Sequence, residues 1–583
     1  MQTSMVGRAL PPAGRPKTGA SLLIALIAIA AAAPIAVPCA ASTKKAPDFQ
    51  RQIPKQDRIL QALNRLTFGP RPGDIERVKA IGLKKWIDLQ LHPDRIPENP
   101  VLEAKLAPLD SLRMTTRTLV ENYPEPQMVR RMLNNGLPFP SDPDRRVLYE
   151  KLAERFERRQ KSGNPPPPPG TELAALLTPD QLRGLRTGTP EQRIATFETI
   201  APWRQDEVLL ALPPGVRQAM FPAASGDLRR KLALANGPVQ VVAEDLSEGK
   251  LLRAIYSSRQ LEEVLTDFWF NHFNVYLDKG ADRFLVTAYE RDVIRPHVLG
   301  KFRDLLEATA KSPAMLFYLD NWQSRGNSAA PARGKRAATG LNENYGRELM
   351  ELHTLGVDGG YTQHDVTEVA RCFTGWTIDR PGEGGPFTFN PRLHDQGEKI
   401  VLGVKIPAGG GIEDGEKVLD ILARHPSTAR FLSRQLATRF VADDPPPALV
   451  DRMARTFLKT GGDLRAVMTT MLESKEFWSV GAYRAKLKSP FEFVVSAVRA
   501  VDGDVDFAFP LVNQVARMGE PLYRKQEPTG YSNSSKEWLN SAGLLARMNF
   551  GLALADNKIA GVKADPQAAA AAGPLGSPEF QRH

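Results

Sequence analysis

Apolar residues recur at helical spacing through most of this chain. Between residues 58 and 91 the pattern predicts two amphipathic helices separated by Gly-Pro and Pro-Gly breakers, with a further interruption near Gly82. The same period predicts a charged helix over 144–161, short Pro-punctuated helices over 171–240 and long helices from Leu251 onward. We therefore predict a mainly α fold with a multi-helical body.

One stretch has a strand pattern instead. In FTFNPRLHDQGEKIVLG, the segments Phe387–Phe389 and Lys399–Leu402 favour strands, and a polar turn at His394–Gly397 lies between them. We predict that these two strands pair as a hairpin near 387–402. The expected fold class is thus mainly α with a small β-hairpin lobe.

Proline marks the clearest internal boundary. The run Pro165–Pro169 predicts a stiff polyproline linker. We assign 42–160 to the N-terminal helical part of the main domain, 161–245 to the linker and a helical insertion, and 246–583 to the remaining main domain. The insertion contains no histidine, so we expect an accessory segment.

Polar residues are concentrated on two adjacent helical segments in the range 342–376. Four residues of the first segment share one helix face, at positions i, i+3, i+4 and i+7: Asn344, Arg347, Glu348 and Glu351. The second segment opens with a Thr362-x-x-Asp365 capping-box pattern. Asp365, Glu368 and Arg371 then lie together, opposite an apolar face. We predict a candidate site here.

The first 41 residues have the pattern of a secretory signal. Three basic residues precede an uncharged apolar run at 20–33, and small residues lead to a cleavage position before Ser42. No later run approaches the roughly 20 apolar residues of a membrane span. We therefore expect a periplasmic or secreted protein with no transmembrane segment after signal removal.

Charge and cysteine content narrow the function classes. The formal net charge is +11, but basic residues are interleaved with acidic ones, which argues against a nucleic-acid partner. Only Cys372 lies beyond the predicted signal, which excludes an intramolecular disulfide in the processed chain. The chain also lacks a G-x-S-x-G elbow, a P-loop, a dinucleotide fingerprint and a haem-attachment motif.

Several motifs occur together along the chain: FWFNHFNV, NENYGRELMELHTLG, YTQHDVTEVARCFTGW, HDQGEKIVLG, HPSTARFLSRQL and SPEFQRH. Through these motifs the chain resembles the bacterial DUF1800 family over about residues 57–580. The resemblance implies an exported, mainly α-helical protein, often encoded beside a second exported family similar to sulfatases. The resemblance therefore also implies an exported sulfatase-like partner protein. It implies no established reaction.

The acidic faces allow three interpretations. Ion pairs such as Glu368 with Arg371 would align the two segments. Alternatively, two carboxylates would serve as acid and base in the hydrolysis of a glycosidic bond. The third interpretation is a hard-cation or zinc site, with candidate ligands Glu348, Glu351, Asp365 and His272. H-E-x-x-H and similar motifs do not occur, so the metal stays unassigned and a divalent ion is the candidate cofactor.

The histidines near these segments have both a structural and a functional interpretation. His272, within FWFNHFNV, would either be a hydrogen-bonded core residue or act as a metal ligand or general base. His353 does not share the face of Glu351, which favours packing. His394 and Asp395 lie in the predicted turn, where they would either overhang a cleft or form a simple Asx turn.

We predict one cleft built from these segments and the hairpin. The candidate catalytic residues are Glu348, Glu351, Asp365, Glu368, His272 and His394. The candidate substrate-binding residues are Asn344, Arg347, Arg371, Trp376 and Asp395. The predicted function is a hydrolase that uses carboxylate acid/base chemistry on an extracellular polymer such as carbohydrate. The alternative is a non-catalytic binding or assembly factor for cell-surface components, whose polar cluster is structural.

Overall fold

Helices account for most of the chain that the computed structural model describes. The described residues are 47–125, 128–129, 132, 138–140, 142–162, 171–326 and 340–583. The predicted signal and the predicted Pro165–Pro169 linker lie outside them. No helix within these ranges is both long and apolar enough to cross a membrane.

The helices up to residue 256 are mostly short. They are α1 Arg58–Leu66, α2 Asp74–Ile81, α3 Leu83–Leu91, α4 Pro100–Leu106, α5 Thr116–Asn122, α6 Pro143–Ser162, α7 Thr171–Leu176, α8 Pro179–Thr187, α9 Pro190–Glu198, α10 Pro202–Ala211, α11 Pro214–Met220, α12 Gly226–Asn236 and α13 Pro238–Tyr256. Proline or glycine stands at or beside many of their first positions, where it is compatible with helix initiation. The break between α1 and α2 and the interruption at Gly82 confirm the helical pattern predicted for 58–91.

Within the described residues, the second part of the chain contains the remaining α-helices and six short strands. The helices are α14 Gln260–His272, α15 Asp282–Ala288, α16 Phe302–Ala310, α17 Pro313–Tyr318, α18 Asn344–Glu351, α19 Gln363–Cys372, α20 Ile412–Ala423, α21 Pro426–Phe440, α22 Pro447–Lys459, α23 Leu464–Leu472, α24 Pro490–Ala500, α25 Phe509–Arg517, α26 Ser535–Trp538, α27 Ser541–Ala555 and α28 Pro566–Ala572. The strands are β1 Trp376–Ile378, β2 Phe387–Phe389, β3 Lys399–Val401, β4 Val404–Ile406, β5 Asp504–Val505 and β6 Val562–Lys563. A π-helix spans Tyr289–Ile294.

The main hydrophobic core is organised around α13 and α14. Almost every side of α13 is buried, and α14 contributes Phe268, Trp269 and Phe270 to the same core. A separate cluster of buried side chains lies within 173–232. It includes Leu185, Phe197 and Leu209 and is distinct from the main core. The assignment of 161–245 as an insertion stays a prediction.

The strands form three antiparallel pairs, β1 with β2, β3 with β4 and β5 with β6. The β-hairpin lobe is confirmed, but the predicted pairing of Phe387–Phe389 with Lys399–Leu402 is wrong. Phe389 faces Trp376 in β1, and Val401 faces Val404 in β4. Leu402 and Gly403 have φ values of 49° and 75°, which suits a two-residue turn and closes the tighter hairpin.

The helices α18 and α19 pack closely, and Gly346 makes the close approach possible. A methyl group at this position would lie 3.0 Å from the Val366 carbonyl oxygen of α19. The capping box of Thr362 and Asp365 at the start of α19 is confirmed. The predicted apolar face of α19 is fully buried, so its polar face points the other way, toward the hairpin.

Candidate functional site

The polar face of α19 binds the β3–β4 hairpin. Arg371 donates from Nη1 to Glu368 Oε1 over 2.7 Å and from Nη2 to Asp395 Oδ1 over 2.8 Å. Glu368 Oε2 accepts from the Ile400 backbone N–H at 2.8 Å. Asp365 Oδ1 accepts from the Leu402 backbone N–H, also at 2.8 Å. Glu368 and Asp365 therefore accept hydrogen bonds from backbone N–H groups of the hairpin. A hairpin of only two strands is marginally stable by itself.

A second layer of buried polar groups lies beneath this contact. Lys399 is fully buried and donates to Asp414 Oδ2 over 2.7 Å. His394 donates from Nδ1 to the Thr374 carbonyl oxygen over 2.8 Å, and its Nε2 lies 3.2 Å from the Asp414 carboxylate. We name the whole set the hairpin network: Asp365, Glu368, Arg371, His394, Asp395, Lys399 and Asp414. Its members hold the hairpin on α19 and α20.

The ionisation of the hairpin network fits a structural role. Burial alone would raise the pKa of Asp395, but hydrogen bonds from Arg371 and from the Gly397 backbone hold it below its usual value. Burial is likewise outweighed at Asp365, whose pKa is lowered by hydrogen bonds from Thr362 and Leu402. Both groups are therefore ionised acceptors at neutral pH, unlike a general acid, which must hold a proton.

The predicted polar face of α18 lies nearer the surface. Arg347 Nη2 donates to Gln363 Oε1 over 2.9 Å, and Glu351 accepts from the Tyr361 hydroxyl at 3.1 Å. Burial, followed by the charge of Glu351, raises the pKa of Glu348. Asn344 is exposed at the start of α18, where its amide donates to the Leu319 carbonyl oxygen over 3.4 Å.

Trp376 has no exposed surface, so it cannot stack on a substrate in this structure. Its ring packs against Phe373 and Phe387, with centroid separations of 4.8 and 5.3 Å. A methyl group on Gly415 would lie 2.6 Å from the same indole. Trp376 therefore anchors β1 to α20 in the core.

Two adjoining cavities lie elsewhere, beside the end of α14. The outer cleft has a volume of about 600 Å³ and is lined by Asn271, His272, Leu352, Phe431, Gln435, Gly519, Lys525, Thr529, Gly530, Tyr531, Ser532, Asn533, Glu537 and Trp538. The inner chamber has a volume of about 60 Å³, and its charged lining residues are Lys250, Asp267, Arg439, Lys486, Glu492 and Glu520. The two share lining residues, among them Asn271 and Tyr531, so they are contiguous.

A segment that we name the strap, residues 525–534, lines these cavities and is held by the FWFNHFNV motif. Asn271 donates to the Tyr531 carbonyl oxygen and accepts from the Tyr531 backbone N–H, both at 2.6 Å. Asn274 donates to the carbonyl oxygens of Lys525 and Glu527, both at 2.9 Å. The two asparagines of the motif thus position the strap by side-chain to backbone hydrogen bonds.

His272 lines the outer cleft as a neutral imidazole. Burial lowers its pKa to about 4. Its Nε2 lies 3.1 Å from the His353 carbonyl oxygen, which can only accept, so Nε2 carries the proton. Nδ1 is then left with a lone pair. The other predicted site residues, all of them described, line neither cavity.

The inner chamber brings an acid with a raised pKa next to an ion-paired carboxylate. Burial, and then the charge of Asp267, raise the pKa of Glu520 to about 8. Lys250 donates to Asp267 Oδ1 over 2.8 Å. Glu492 behaves in the opposite way, because Arg439 lies 2.5 Å from its carboxylate and outweighs burial, lowering its pKa to about 2. The chamber therefore holds both a protonated and an ionised carboxyl group at neutral pH.

A family model described as a protein of unknown function, DUF1800, matches residues 61–581. The chain belongs to the DUF1800 family. The match includes both cavities, the strap and the hairpin network, and it confirms the resemblance that the motifs indicated. No curated protein and no solved structure matched the chain.

In this DUF1800 protein, sequence reasoning missed most of the residues that line the cavities. Asp267 lies four positions before Asn271 on α14, so helical spacing places it on the motif's strap-facing side and was a usable signal. Glu520 and Tyr531 carry no such signal, since they come from a distant part of the chain. Only folding brings them to α14.

The π-helix at Tyr289–Ile294 contacts two residues that line the inner chamber, Tyr523 and Lys250. It presents the buried Glu290, which accepts from the Tyr523 hydroxyl at 2.6 Å. Lys250 Nζ lies 3.9 Å from the same carboxylate. Glu290 and Asp267 together hold the Lys250 ammonium group, and π-turns of this kind are frequent near functional sites.

Metal ligation has little support in the part of this DUF1800 chain that the structure describes. No three His, Cys, Asp or Glu side chains come together there in a group that could hold a metal ion. The predicted ligand set of Glu348, Glu351, Asp365 and His272 is divided between the α18 surface, the hairpin network and the outer cleft. The side chains that line the cavities supply carboxyl, amide, hydroxyl, imidazole, ammonium and guanidinium groups.

Proposed function

We propose that this protein is an exported hydrolase that uses a carboxylate acid/base pair on an extracellular polymer, with carbohydrate as the substrate class. The observation that carries the proposal is the inner chamber, in which the protonated Glu520 lies beside the ion-paired Asp267. Neighbouring carboxyl groups whose environments separate their protonation states are the usual arrangement for acid/base catalysis. The pair differs from the one that the sequence suggested.

In this mechanism each group has a defined task. The Glu520 carboxyl group donates its proton to the leaving oxygen as the bond to that oxygen breaks. The Asp267 carboxylate is held in place by Lys250. It accepts a proton from a water molecule as that water attacks the carbon atom from which the leaving oxygen departs. His272 Nδ1 accepts a hydrogen bond from a substrate hydroxyl in the outer cleft.

The lining of the outer cleft supports a carbohydrate substrate. Phe431, Tyr531 and Trp538 offer aromatic surfaces on which sugar rings stack. Asn271 and Gln435 offer amide donors and acceptors for hydroxyl groups. In this proposal the sugar units occupy the outer cleft, and only the glycosidic oxygen and the attacking water enter the inner chamber, which is large enough for one or two waters or a hydroxyl group.

Export is part of the proposal and rests on the pattern of the first 41 residues. Cell fractionation with N-terminal sequencing of the recovered protein tests it. We expect the protein outside the cytoplasm, beginning at Ser42. A cytoplasmic protein that begins at Met1 would remove export from the proposal and leave the site chemistry to be tested separately.

The decisive variant is Glu520→Gln. Because Glu520 is protonated at neutral pH, the amide replaces it without a change of charge and keeps an acceptor for the Phe491 N–H. We expect polysaccharide hydrolysis to fall at least about 100-fold, with little change in melting temperature. Hydrolysis is measured as released reducing ends over a panel of neutral and acidic polysaccharides. Wild-type activity should decline above pH 8, as Glu520 loses its proton.

Glu248→Gln is the matched control. Burial raises the pKa of Glu248 to about 8 as well, and its carboxyl group accepts a backbone N–H from Ala508 at 3.0 Å. It lines neither cavity, so its replacement should leave turnover unchanged. Equal activity losses in the two variants would contradict a catalytic role for Glu520.

The second candidate function is a non-catalytic binding or assembly factor. It is favoured by the hairpin network, which uses five of the predicted site residues to hold a hairpin: Asp365, Glu368, Arg371, His394 and Asp395. Under this candidate a polysaccharide binds to wild type and to Glu520→Gln with equal affinity, and no turnover occurs. Affinity electrophoresis of both proteins separates the two functions.

A further inference from the structure

A further cleft is lined by residues of α1, α2 and α3, the connection between α13 and α14, and the end of α24. Its volume is about 470 Å³, which is within the usual range of small-molecule sites. It shares no lining residue with the outer cleft or the inner chamber. We name it the arginine cleft, because Arg71, Arg77 and Arg499 line it. Binding there is independent of the proposed function.

Arg71 is held in place in this cleft but has only a weak partner. Its backbone N–H donates to Asp74 Oδ2 over 2.8 Å, and its guanidinium group lies 4.8 Å from the centroid of the Tyr256 ring. Its ion pair within the described residues is long, because Nε lies 3.5 Å from Oδ1 of Asp502, whose side chain is 56% exposed. Nε makes no hydrogen bond to any described residue. A guanidinium group that is fixed but weakly paired is suited to bind an acceptor from outside the chain.

The charges that line the cleft leave one positive charge in excess. Among the described lining residues, the three guanidinium groups face only two carboxylates, Asp74 and Asp502. Asp74 is shared, since its oxygens lie 3.3 Å from Arg499 Nη2 and 3.2 Å from Arg77 Nη1. Burial lowers the pKa of Arg499 to about 9, and the charges of the other two arginines act in the same direction, against that of Asp74. A ligand with one negative charge therefore balances the cleft.

A carboxylate is the anion that fits Arg71 best. It carries a single charge, and its two oxygen atoms match the two parallel N–H donors of a guanidinium group. A phosphate monoester carries nearly two charges at neutral pH and would exceed the positive charge available.

The apolar part of the lining indicates the rest of the ligand. Ile81, Leu89 and Ile96 line the cleft and keep part of their surface exposed, and Pro97 lies exposed in the same lining. Trp86 adds a largely buried indole. Covering apolar side chains of this kind is favourable in proportion to the area removed from water. The lining is thus suited to an apolar body next to the charged head.

The glutamine side chains of the lining are already used within the fold. Gln90 donates to the Ser258 carbonyl oxygen over 3.1 Å and accepts from the Leu261 N–H at 3.0 Å. Gln260 accepts from the Phe68 N–H at 3.2 Å. A ligand rich in hydroxyl groups would find few free amide partners here, which favours an apolar body over a sugar.

We propose that the arginine cleft binds a small organic monoanion that has a carboxylate head and an apolar body. The carboxylate pairs with the Arg71 guanidinium group. The apolar body covers Ile81, Leu89 and Ile96. The cleft is then a second binding site of this protein, separate from the outer cleft.

Isothermal titration calorimetry of the full chain with octanoate tests the proposal without any measurement of activity. We expect dissociation between about 10 µM and about 1 mM, as is usual for a ligand of about ten non-hydrogen atoms. Octanamide has the same shape without the charge and should bind at least about tenfold more weakly. Butanoate should also bind at least about tenfold more weakly than octanoate, because its shorter chain buries less apolar surface.

Arg71→Gln tests the position of the head. It removes the guanidinium group and leaves the backbone N–H to Asp74, so octanoate affinity should fall about 10- to 100-fold. Arg204→Gln is the matched control. Arg204 also lies over an aromatic ring, 4.6 Å from the Trp203 centroid, but lines none of the three cavities. It should bind octanoate like wild type, and melting temperatures establish that both variants are folded.

Hydrogen exchange of wild type with and without octanoate keeps the test valid if Arg71→Gln folds poorly. We expect slower exchange in peptides from 71–99 when octanoate is present. Protection confined to the strap, or none, overturns the proposal. It is overturned equally by an absence of binding up to about 10 mM octanoate, by equal affinity for octanoate and octanamide or butanoate, and by unchanged affinity in folded Arg71→Gln.

Discussion

Individual buried histidines contribute to the way this protein responds to acid. Burial lowers the pKa of His272 to about 4 and that of His353 to about 3. The imidazolium form of each is disfavoured in the fold but not in the unfolded chain, where the pKa is about 6.5. Their contribution to stability is complete above that value. It is lost as pH falls from about 6.5 toward 4, because the unfolded chain then binds protons that the folded chain does not.

His353→Phe should weaken this dependence. The His353 Nε2 atom is buried and has no hydrogen-bond partner within the described residues, and its ring already packs 5.0 Å from that of Phe273. We expect the free energy of unfolding to fall less steeply between pH 6.5 and 4.5 in the variant than in wild type. Urea denaturation at several pH values measures the slope of the free energy of unfolding against pH. A packing penalty that is the same at every pH does not change this slope.

His364→Phe serves as the control for this prediction. His364 lies exposed on α19, so its replacement should leave the pH slope as in wild type. An unchanged slope in His353→Phe would show that the acid sensitivity comes from other groups.

At the scale of elements, the hairpin network decides where the β3–β4 hairpin docks. The hairpin has only one hydrogen-bonded strand pair and would be marginal by itself. Its attachment depends on buried charges, above all Lys399 and Asp414, which lie 2.7 Å apart with almost no exposed surface. A buried charge without its partner is strongly unfavourable.

Asp414→Asn should therefore destabilise the protein by an amount near the lower end of about 3–5 kcal/mol, because the buried Lys399 ammonium group keeps only the more distant Asp395 carboxylate, 4.0 Å away, as an opposite charge. The free energy of unfolding from urea titration measures the loss. The matched control is Glu398→Gln, on the same hairpin, whose ion pair with Lys405 lies at the surface. Surface pairs contribute about 1 kcal/mol or less. Equal losses in both variants would be inconsistent with a buried network.

At the scale of the whole molecule, the cluster of buried side chains within 173–232 is separate from the main core. The main core contains much of α14, and four side chains that line the inner chamber belong to it: Phe268, Phe270, Leu522 and Tyr523. Regions with separate cores open with separate free energies. The accessory helices should accordingly lose their structure without a change at the cavities.

Phe197→Ala tests this separation. Phe197 is 2% exposed in the small core, and such a truncation costs about 3–5 kcal/mol locally. We expect faster hydrogen exchange in peptides from 171–232 and unchanged exchange in peptides from 260–277, as read by mass spectrometry. Trp203→Ala, at a side chain that is 68% exposed, is the control and should change neither set. Faster exchange throughout the chain would show that the two cores unfold together.

The local pattern of this chain determined its helices, the capping box at Thr362 and Asp365, the buried face of α19 and the presence of a hairpin lobe. Each of these depends on residues that are close in sequence, where periodicity and turn chemistry act directly. The predicted polar faces were also grouped correctly. Their role stayed open between ion pairing and a site, because a carboxylate on a helix face has the same sequence pattern whether a strand backbone or a substrate covers it.

Only the tertiary structure decided which polar groups meet. It paired Phe387–Phe389 with β1 and buried Trp376. It also placed Asp365 and Glu368 in the hairpin network, where both accept hydrogen bonds from the hairpin backbone. It also brought Glu520 and the strap to α14, far from them in sequence. The physical reason is that contacts across the core and the resulting desolvation depend on the arrangement of distant elements, and burial in turn determines whether a carboxyl group holds its proton. The sequence by itself therefore determined the family and the helical architecture, and the folded chain determined the location of the candidate site.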